Sequence, residues 1–262
     1  MSDYRNYKLN YKFKEPDARD YAFSNKLNSK QVSSLPFQKT IESKIKNVLD
    51  QGDLGSCVSN VFAQYILIVT SNTIFISRLF HYYCGRLISG YSNLVDSGLN
   101  VRKSCQIIST IGVCKEYMWP YITSNYTIIP PIFTFQYSNC RLFKKYTYSF
   151  INQSGNINTI NDIKTFLNVF NLPVIFGFMV YSSFYSNSTI TTGIVSLPDT
   201  TKEIFEGGHC MLIVGYDDEK KQLKCVNSWG SSWGDKGYCY MPYDYITNAK
   251  LCNDFCILSI SY

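Results

Sequence analysis

Histidine and cysteine are the residues whose positions most restrict the chemistry open to this chain. There are two histidines, His81 and His209, so an imidazole general base must be one of them. His81 stands among aromatic residues in a segment with helical periodicity, which is typical of a packed structural histidine. His209 follows Gly207 and Gly208, and two glycines let a ligand approach the backbone closely. His209 is therefore the candidate site residue.

Cys57 is the cysteine that follows a turn and opens a predicted helix. Free N–H groups and the helix dipole at such a position stabilise a thiolate, and a neighbouring imidazolium lowers the thiol pKa further. For the other nine of the ten cysteines we expect small core residues. Cys252 and Cys256 form a close pair, but neither a second pair nor a histidine cluster completes a zinc site. We expect neither a metal nor another cofactor.

Two amide side chains can complete the chemistry of a Cys–His pair. Asn227 can accept a hydrogen bond from one ring nitrogen of the base and hold its tautomer, and Trp229 can shield that bond from water. Gln51 precedes the thiol by six residues and can donate its amide to a developing oxyanion beside the N–H of Cys57. Together these residue types predict cysteine-dependent acyl transfer.

The order of these residues resembles the papain family of cysteine peptidases, in which Gln, Cys, His and an Asn before Ser-Trp-Gly follow one another. The resemblance covers roughly residues 35–262. Further motifs in family order are Asp96-Ser97-Gly98, Gly112-Val113-Cys114-Lys115-Glu116, Trp119-Pro120-Tyr121, Pro173-Val174, Gly177-Phe178 and Gly208-His209. Leu54 and Val58 depart from the usual cysteine and tryptophan beside the nucleophile. This Leu-Gly-Ser-Cys variant resembles the bacterial and giant-virus branch of the family.

The resemblance implies a papain-like α+β fold, with a helical half and an antiparallel β-barrel-like half on either side of an active-site cleft. It also implies a cysteine endopeptidase that hydrolyses peptide bonds through a Cys57 thioester. In that mechanism Gln51 helps to hold the oxyanion, and Asn227 orients the acid/base His209. The substrate-binding residues that the resemblance implies are Ser97, Gly98, Gly208, Trp229 and Ile257.

Two other functions remain open on the residues alone. A papain-fold acyl transferase or transpeptidase is one, since water and amines compete for the same thioester. A non-catalytic papain-like binding module is the other, although such a module has no need of all four residues of the Gln–Cys–His–Asn set. Fold alone does not decide between them.

The spacing of apolar residues predicts helices first and strands later, the pattern of an α+β protein. Predicted helices cover about 57–71, 74–88, 101–111 and 159–170, and predicted strands cover 146–151, 174–181, 210–216, 224–228 and 238–241. We divide the chain into an N-terminal extension (1–34), a mainly helical half (35–140) with Cys57, and a mainly β half (141–262) with His209 and Asn227.

The N-terminal extension alternates aromatic and cationic side chains over residues 4–14, which predicts an extended segment that lays its rings on one surface. Docking on its own domain is favoured over a nucleic-acid-binding arm, because the stretch is short and its charge is modest. We hypothesise that residues 1–34 lie in or near the cleft as a short propeptide and restrain activity until they are removed. A permanent strap on the mature enzyme is the alternative. Deleting 1–34 should raise turnover in the first case only.

The composition indicates a packed globular protein. Of 262 residues 45% are hydrophobic and 17% charged, which excludes disorder as the main state. No apolar run approaches the ~18 residues of a membrane helix, and no secretory signal is visible. The net charge of +6 does not indicate a nucleic-acid partner. We expect a monomer with mostly reduced cysteines, inside cells or packaged in a virus particle, that acts on protein or peptide substrates without nucleic-acid or membrane partners.

Overall fold

The computed structural model describes residues 4–13, 17, 22–23, 35–139, 142–143, 145–151 and 157–262. The helices in these ranges are α1 (Cys57–Val69), α2 (Arg78–Ile88), α3 (Val101–Thr110), α4 (Ile132–Asn139), α5 (Ile157–Thr165), α6 (Asn187–Thr192) and α7 (Tyr243–Thr247). The strands are β1 (Ala22–Phe23), β2 (Gln38–Thr40), β3 (Lys145–Ile151), β4 (Val174–Tyr181), β5 (Phe205–Asp217), β6 (Gln222–Val226), β7 (Tyr238–Pro242) and β8 (Cys252–Ser261). Helices thus precede most of the strands along the chain.

One mainly antiparallel sheet holds the strands of the described residues, in the order β1-β3-β8-β4-β5-β6-β7, with β2 paired to β5. The path is open, so the sheet is not the closed barrel that a β-barrel-like half suggests. The arrangement is α+β, as predicted. Within the described ranges, no helix is both long enough and apolar enough to cross a membrane.

Helix α1 packs against both the sheet and the two helices that follow it. Nearly all of its side chains are buried, and it packs against the central strand β5. Helix α2 begins at Arg78 rather than near residue 74, because the hydroxyl of Ser77 caps it by accepting a bond from the N–H of Phe80. Helix α3 is capped in the same way by Asn100. That cap fixes the end of the loop that precedes α3 and lines the cleft.

Two predicted elements differ from the observed ones in instructive ways. The strand predicted from residue 210 begins instead at Phe205, because Gly207 and Gly208 pair with β4 and continue the ladder. The helix predicted over 159–170 is α5 followed by a π-helical turn, which ends where Asn171 takes a left-handed conformation. The first difference places His209 inside β5, where neighbouring strands hold it rigidly.

Candidate active site

Cys57 is the first residue of α1, so its side chain stands at the N-terminal end of a buried helix. Ser56, the N-cap residue, makes no side-chain capping bond to the helix. The backbone N–H groups of the first turn are therefore not occupied by a Ser56 cap. The side-chain amide of Asn60 donates to the carbonyl oxygen of Ser56 over 3.1 Å, and the hydroxyl of Tyr121 donates to that of Gln51 over 2.8 Å. These two side chains therefore hold the backbone of the turn that precedes Cys57.

The sulfur of Cys57 is fully buried, and burial raises its pKa to about 12. Backbone N–H groups of Cys210, Val58 and Cys57 itself act in the opposite direction, because they hydrogen-bond the sulfur. Burial outweighs them in this state, so the side chain is a neutral thiol. The same N–H groups would stabilise a thiolate once the sulfur is hydrated.

His209 lies on β5 and makes one side-chain hydrogen bond, from Nε2 to Oδ1 of Asn227 over 2.7 Å. The same Oδ1 also accepts from the backbone N–H of Ser228 over 2.8 Å, which orients the amide with its oxygen toward the ring. Nε2 is therefore the protonated nitrogen, and Nδ1 carries the free lone pair. Nδ1 has no hydrogen-bond partner among the described residues, although it is buried. Burial also lowers the pKa of His209 to about 4, which keeps the imidazole neutral.

Trp229 covers the His209–Asn227 hydrogen bond. Its indole is fully buried, and the ring centroid lies 5.1 Å from that of the imidazole. Phe178 packs edge-on against the imidazole at 5.7 Å. These rings keep water from the bond and confine the imidazole to one orientation.

The side-chain amide of Gln51 is held at both ends. Its Oε1 accepts from the hydroxyl of Ser228 over 2.7 Å, and its Nε2 donates to the carbonyl oxygen of Leu54 over 3.0 Å. Nε2 also donates a second hydrogen bond, to the carbonyl oxygen of Lys8 over 3.2 Å. A backbone carbonyl of the N-terminal segment thus lies on the amide that was predicted to bind an oxyanion.

Residues 4–13, here named the strap, run through the cleft. The N–H of Tyr11 donates to the carbonyl oxygen of Gly208 on β5 over 2.9 Å. The N–H of Lys12 donates over 3.0 Å to that of Leu99, in the loop before α3. Asn10 forms a parallel β-bridge with Gly208. The strap therefore hydrogen-bonds both halves of the molecule and crosses the site between them.

Aromatic and charged side chains fasten the rest of the strap. Tyr4 and Tyr7 pack on the indole of Trp229, at centroid distances of 6.3 and 5.1 Å. Arg5 pairs with Glu206 over 3.3 Å, and Lys8 pairs with Asp96 over 3.0 Å. The alternating aromatic and cationic side chains thus contact the protein itself. This is the docked segment that the sequence favoured over a nucleic-acid-binding arm.

The strap lies so close to the backbone of Gly98 that a side chain at this position would collide with it. Gly98 has φ of +71°, and a β-carbon there would lie 1.7 Å from the carbonyl oxygen of Asn10. A side chain at this position would displace an extended chain from the cleft. Gly98 was among the predicted substrate contacts, and in this state it contacts the strap.

The other predicted substrate contacts are placed as follows. Gly208 pairs with the strap, and Trp229 packs against its rings. Ser97 lies next to Gly98, but the loop carbonyl that accepts from the strap belongs to Leu99. Ile257 lies farther along β8, opposite Ser149 of β3, and its role in substrate binding stays a prediction.

Residues that sequence reasoning did not single out also reach the cleft. Leu99 follows the quoted motif directly, so that motif was the available signal. Asp96 stands within the motif, accepts the backbone N–H of Gly55 over 3.1 Å and pairs with Lys8. Asn253 and Asp254 contact Tyr11, and no sequence pattern marks them. Their placement depends on strand register, which a motif does not show.

The remaining cysteines of the described residues are buried, and none forms a disulfide. In the same part of the chain, no group of three or more His, Cys, Asp or Glu side chains is arranged to hold a metal ion. Cys57, His209, Asn227 and Gln51 therefore stay the candidate site residues, and no side-chain hydrogen bond joins Nδ1 of His209 to another described residue.

Comparison with known proteins gives one family match. The family model described as "Papain family cysteine protease" matches residues 37–256. An uncharacterized peptidase C1-like protein of Acanthamoeba polyphaga mimivirus is 35% identical over 216 residues, which are 80% of this chain and 68% of that protein. Pro-cathepsin H of Mus musculus is 26% identical over 216 residues; the match covers 79% of this chain and 59% of that protein.

Solved structures show the same similarity in three dimensions. Xylellain, a cysteine protease from Xylella fastidiosa, superposes with a TM-score of 0.85 at 30% identity, covering 100% of this chain and 98% of that one. A digestive procathepsin L 3 of Tenebrio molitor larval midgut superposes with a TM-score of 0.64 at 19% identity, over 94% of this chain and 75% of that one. The mimiviral and bacterial relatives confirm the predicted resemblance to those branches.

Proposed function

The chain belongs to the papain family of cysteine proteases, and on that premise we propose that it is a cysteine endopeptidase whose cleft is covered by its own N-terminal strap. Cys57 is the proposed nucleophile, His209 the acid/base, and Asn227 the residue that holds the imidazole. Gln51 is the proposed side-chain donor to the oxyanion.

One observation carries the proposed chemistry. The bond from Nε2 of His209 to Asn227 uses one ring nitrogen and leaves Nδ1 with its lone pair available for a proton. A histidine so deeply buried normally has both nitrogens satisfied. The unused nitrogen is what a base needs if it is to take a proton from a thiol.

The proposed reaction follows from these positions. The proton of the Cys57 thiol passes to Nδ1 of His209, and the sulfur attacks the carbonyl carbon of a peptide bond. The carbonyl oxygen becomes an oxyanion, which Nε2 of Gln51 and the N–H of Cys57 stabilise. The C–N bond then breaks as His209 gives its proton to the leaving amine, which leaves the acyl group on the sulfur. His209 later takes a proton from the water that attacks this thioester, and the C–S bond breaks as the sulfur regains that proton.

Endopeptidase action is supported by the shape of the occupied cleft. The strap lies in it as a continuous run from Tyr4 to Phe13, with residues on both sides of the carbonyl that contacts Gln51. A cleft that takes up the middle of a chain suits cleavage away from the ends of a substrate. We therefore favour internal peptide bonds as the site of hydrolysis.

The strap is proposed to inhibit the enzyme in two ways. It places the carbonyl of Lys8 on Nε2 of Gln51, where the oxyanion would bind. It also keeps Cys57 and His209 buried, and burial shifts the pKa values of both toward the uncharged thiol and imidazole. Release of the strap would hydrate the pair and allow the thiolate–imidazolium form.

Intact mass spectrometry with a peptidyl-epoxide thiol inhibitor tests the peptidase. We expect one inhibitor per chain, mapped to Cys57, together with hydrolysis of a denatured protein substrate that the inhibitor abolishes. Cys57→Ala should lose both, whereas Cys84→Ala, which removes a buried cysteine of the helical half, should keep both. An adduct on a residue other than Cys57, or hydrolysis by Cys57→Ala, would contradict the proposal.

The inhibitory strap has its own test. The Arg5→Ala/Lys8→Ala chain loses two ion pairs of the strap, each worth about 0–1 kcal/mol, so labelling of Cys57 should be about 2- to 10-fold faster. Lys202→Ala is the matched control, because it removes an ion pair with Asp199 at an exposed site. A synthetic peptide of residues 4–13 should slow the labelling again. Equal labelling rates in all three chains would refute inhibition by the strap.

A further inference from the structure

Tyr11 of the strap fills a pocket beside the catalytic thiol. Its side chain is 5% exposed, and the ring packs edge-on against Phe13 at a centroid distance of 5.1 Å. The pocket exists because β4 has a glycine there: a β-carbon on Gly177 would lie 1.9 Å from Cζ of Tyr11. Any larger residue at 177 would fill the space that the phenol ring occupies.

A carboxylate closes the far end of this pocket. The hydroxyl of Tyr11 donates to Oδ2 of Asp254 over 2.5 Å, and Oδ1 of Asn253 lies 3.4 Å from the same hydroxyl. Asp254 is 7% exposed. Burial and the charge of Asp254 both raise the pKa of Tyr11 well above its ordinary value, so the phenol keeps the proton that it donates.

The backbone of β8 is distorted at the residue that supplies this carboxylate. Ile175 pairs with Cys256 and Gly177 pairs with Asn253, so two residues of β8, Asp254 and Phe255, lie opposite one residue of β4. Asp254 takes the left-handed conformation, with φ of +59°. A β-bulge of this kind turns a side chain away from the regular alternation of the strand. A buried acid held at positive φ in a bulge beside the proposed active site motivates a functional hypothesis for it.

We propose that Asp254 is a specificity-determining residue, and that the pocket it closes selects substrates that place a tyrosine side chain there. This inference rests on the proposed function. When the strap leaves, the pocket loses its phenol, and a substrate tyrosine can restore the same hydrogen bond. A phenylalanine fills the same volume but has no hydroxyl to donate, so it leaves the carboxylate without that bond.

Cleavage of paired substrates by the full chain tests the inference. Cleavage sites in a mixture of tryptic peptides are first aligned to find the position at which tyrosine is enriched. Two synthetic peptides that differ only by Tyr or Phe at that position are then compared by kcat/KM. Both compete with the same strap, so the ratio does not depend on how much of the cleft the strap covers. We expect the wild type to prefer Tyr by about 10- to 100-fold.

Two substitutions at residue 254 carry the test. Asp254→Gly removes the acceptor and tolerates positive φ, so the Tyr/Phe ratio should fall to about 1. Asp254→Asn keeps the shape and tolerates the same φ, and its neutral acceptor should give an intermediate ratio. Asp218→Asn is the control: Asp218 also accepts from a tyrosine hydroxyl, that of Tyr243, but beyond the opposite end of β5. Its ratio should equal that of the wild type.

The outcomes separate this inference from the proposed function. Active wild type without a Tyr preference, or a Tyr preference that survives in Asp254→Gly, overturns the inference and leaves the peptidase standing. No hydrolysis of either peptide by the Arg5→Ala/Lys8→Ala chain, whose strap has lost two ion pairs, overturns the proposed function and the inference together.

Discussion

The two histidines lie in two buried regions with opposite hydrogen bonding. His81 of α2 uses both ring nitrogens: Nδ1 lies 2.9 Å from the hydroxyl of Ser59, and Nε2 lies 3.3 Å from the carbonyl oxygen of Ser104. His209 of β5 uses Nε2 for Asn227, and its Nδ1 has no partner among the described residues. Burial lowers the pKa of each to about 4. Burial and pKa therefore do not distinguish His81 from His209, the proposed catalytic base.

The two regions differ in whether both ring nitrogens of the histidine have a hydrogen-bond partner. Around His81 the packing is complete, with the ring stacked on Phe62 at a centroid distance of 5.2 Å. Around His209, Trp229 and Phe178 pack against the imidazole, and the strap pairs with the preceding residue, Gly208. If the proposed function is right, the base is held on one side by these rings and becomes accessible when the strap leaves.

The largest expected effect separates the two histidines directly. His209→Ala should lower kcat/KM by about 10⁴-fold or more, because removal of the proposed base leaves only binding and oxyanion stabilisation. His81→Gln should keep kcat/KM within a few-fold, since it changes packing away from the cleft. Peptide hydrolysis is measured on both chains after circular dichroism has shown that each is folded. Equal losses in two folded variants would break the comparison.

A smaller effect is expected when Gln51, the proposed oxyanion donor, is replaced. Gln51→Ala should lower kcat by about 10²- to 10³-fold, because one preorganised donor to the transition state is lost. Gln64→Leu is the matched control: Gln64 is buried on α1, and its amide has no hydrogen-bond partner in the described part of the chain. Steady-state kinetics should show kcat unchanged there. A rise in KM at constant kcat for Gln51→Ala would mean that Gln51 only binds substrate.

The smallest effect concerns stability against pH. A histidine whose pKa is about 4 when folded and about 6.5 when unfolded binds more protons in the unfolded chain between those values, so stability falls as pH falls through that range. His81 should contribute a loss on the order of 1–3 kcal/mol. Urea unfolding at pH 7 and pH 4 should therefore show a smaller decline for His81→Gln than for the wild type. An identical decline would mean that His81 is not held neutral.

Sequence order selected the residues of the proposed site, and the structure shows the predicted bond between His209 and Asn227. Cys57, His209, Asn227 and Gln51 are marked by residue type and local motif, and β4 has the bounds that its apolar run predicts. The path of the strap and the acid at the end of its pocket could not be predicted in detail. They depend on pairing between residues more than 200 positions apart and on a bulge, and neither leaves a periodic signal.

The most direct measurement of the central claim is the rate at which iodoacetamide alkylates Cys57 as pH is varied, read by peptide mapping. In the Arg5→Ala/Lys8→Ala chain, we expect alkylation already fast at pH 5–6 and nearly independent of pH up to 8, since the thiolate–imidazolium pair persists throughout. In the wild type, the same residue should react more slowly at each pH. Cys57 reacting in both chains with the pH dependence of an ordinary thiol, near 8.5, would contradict the account.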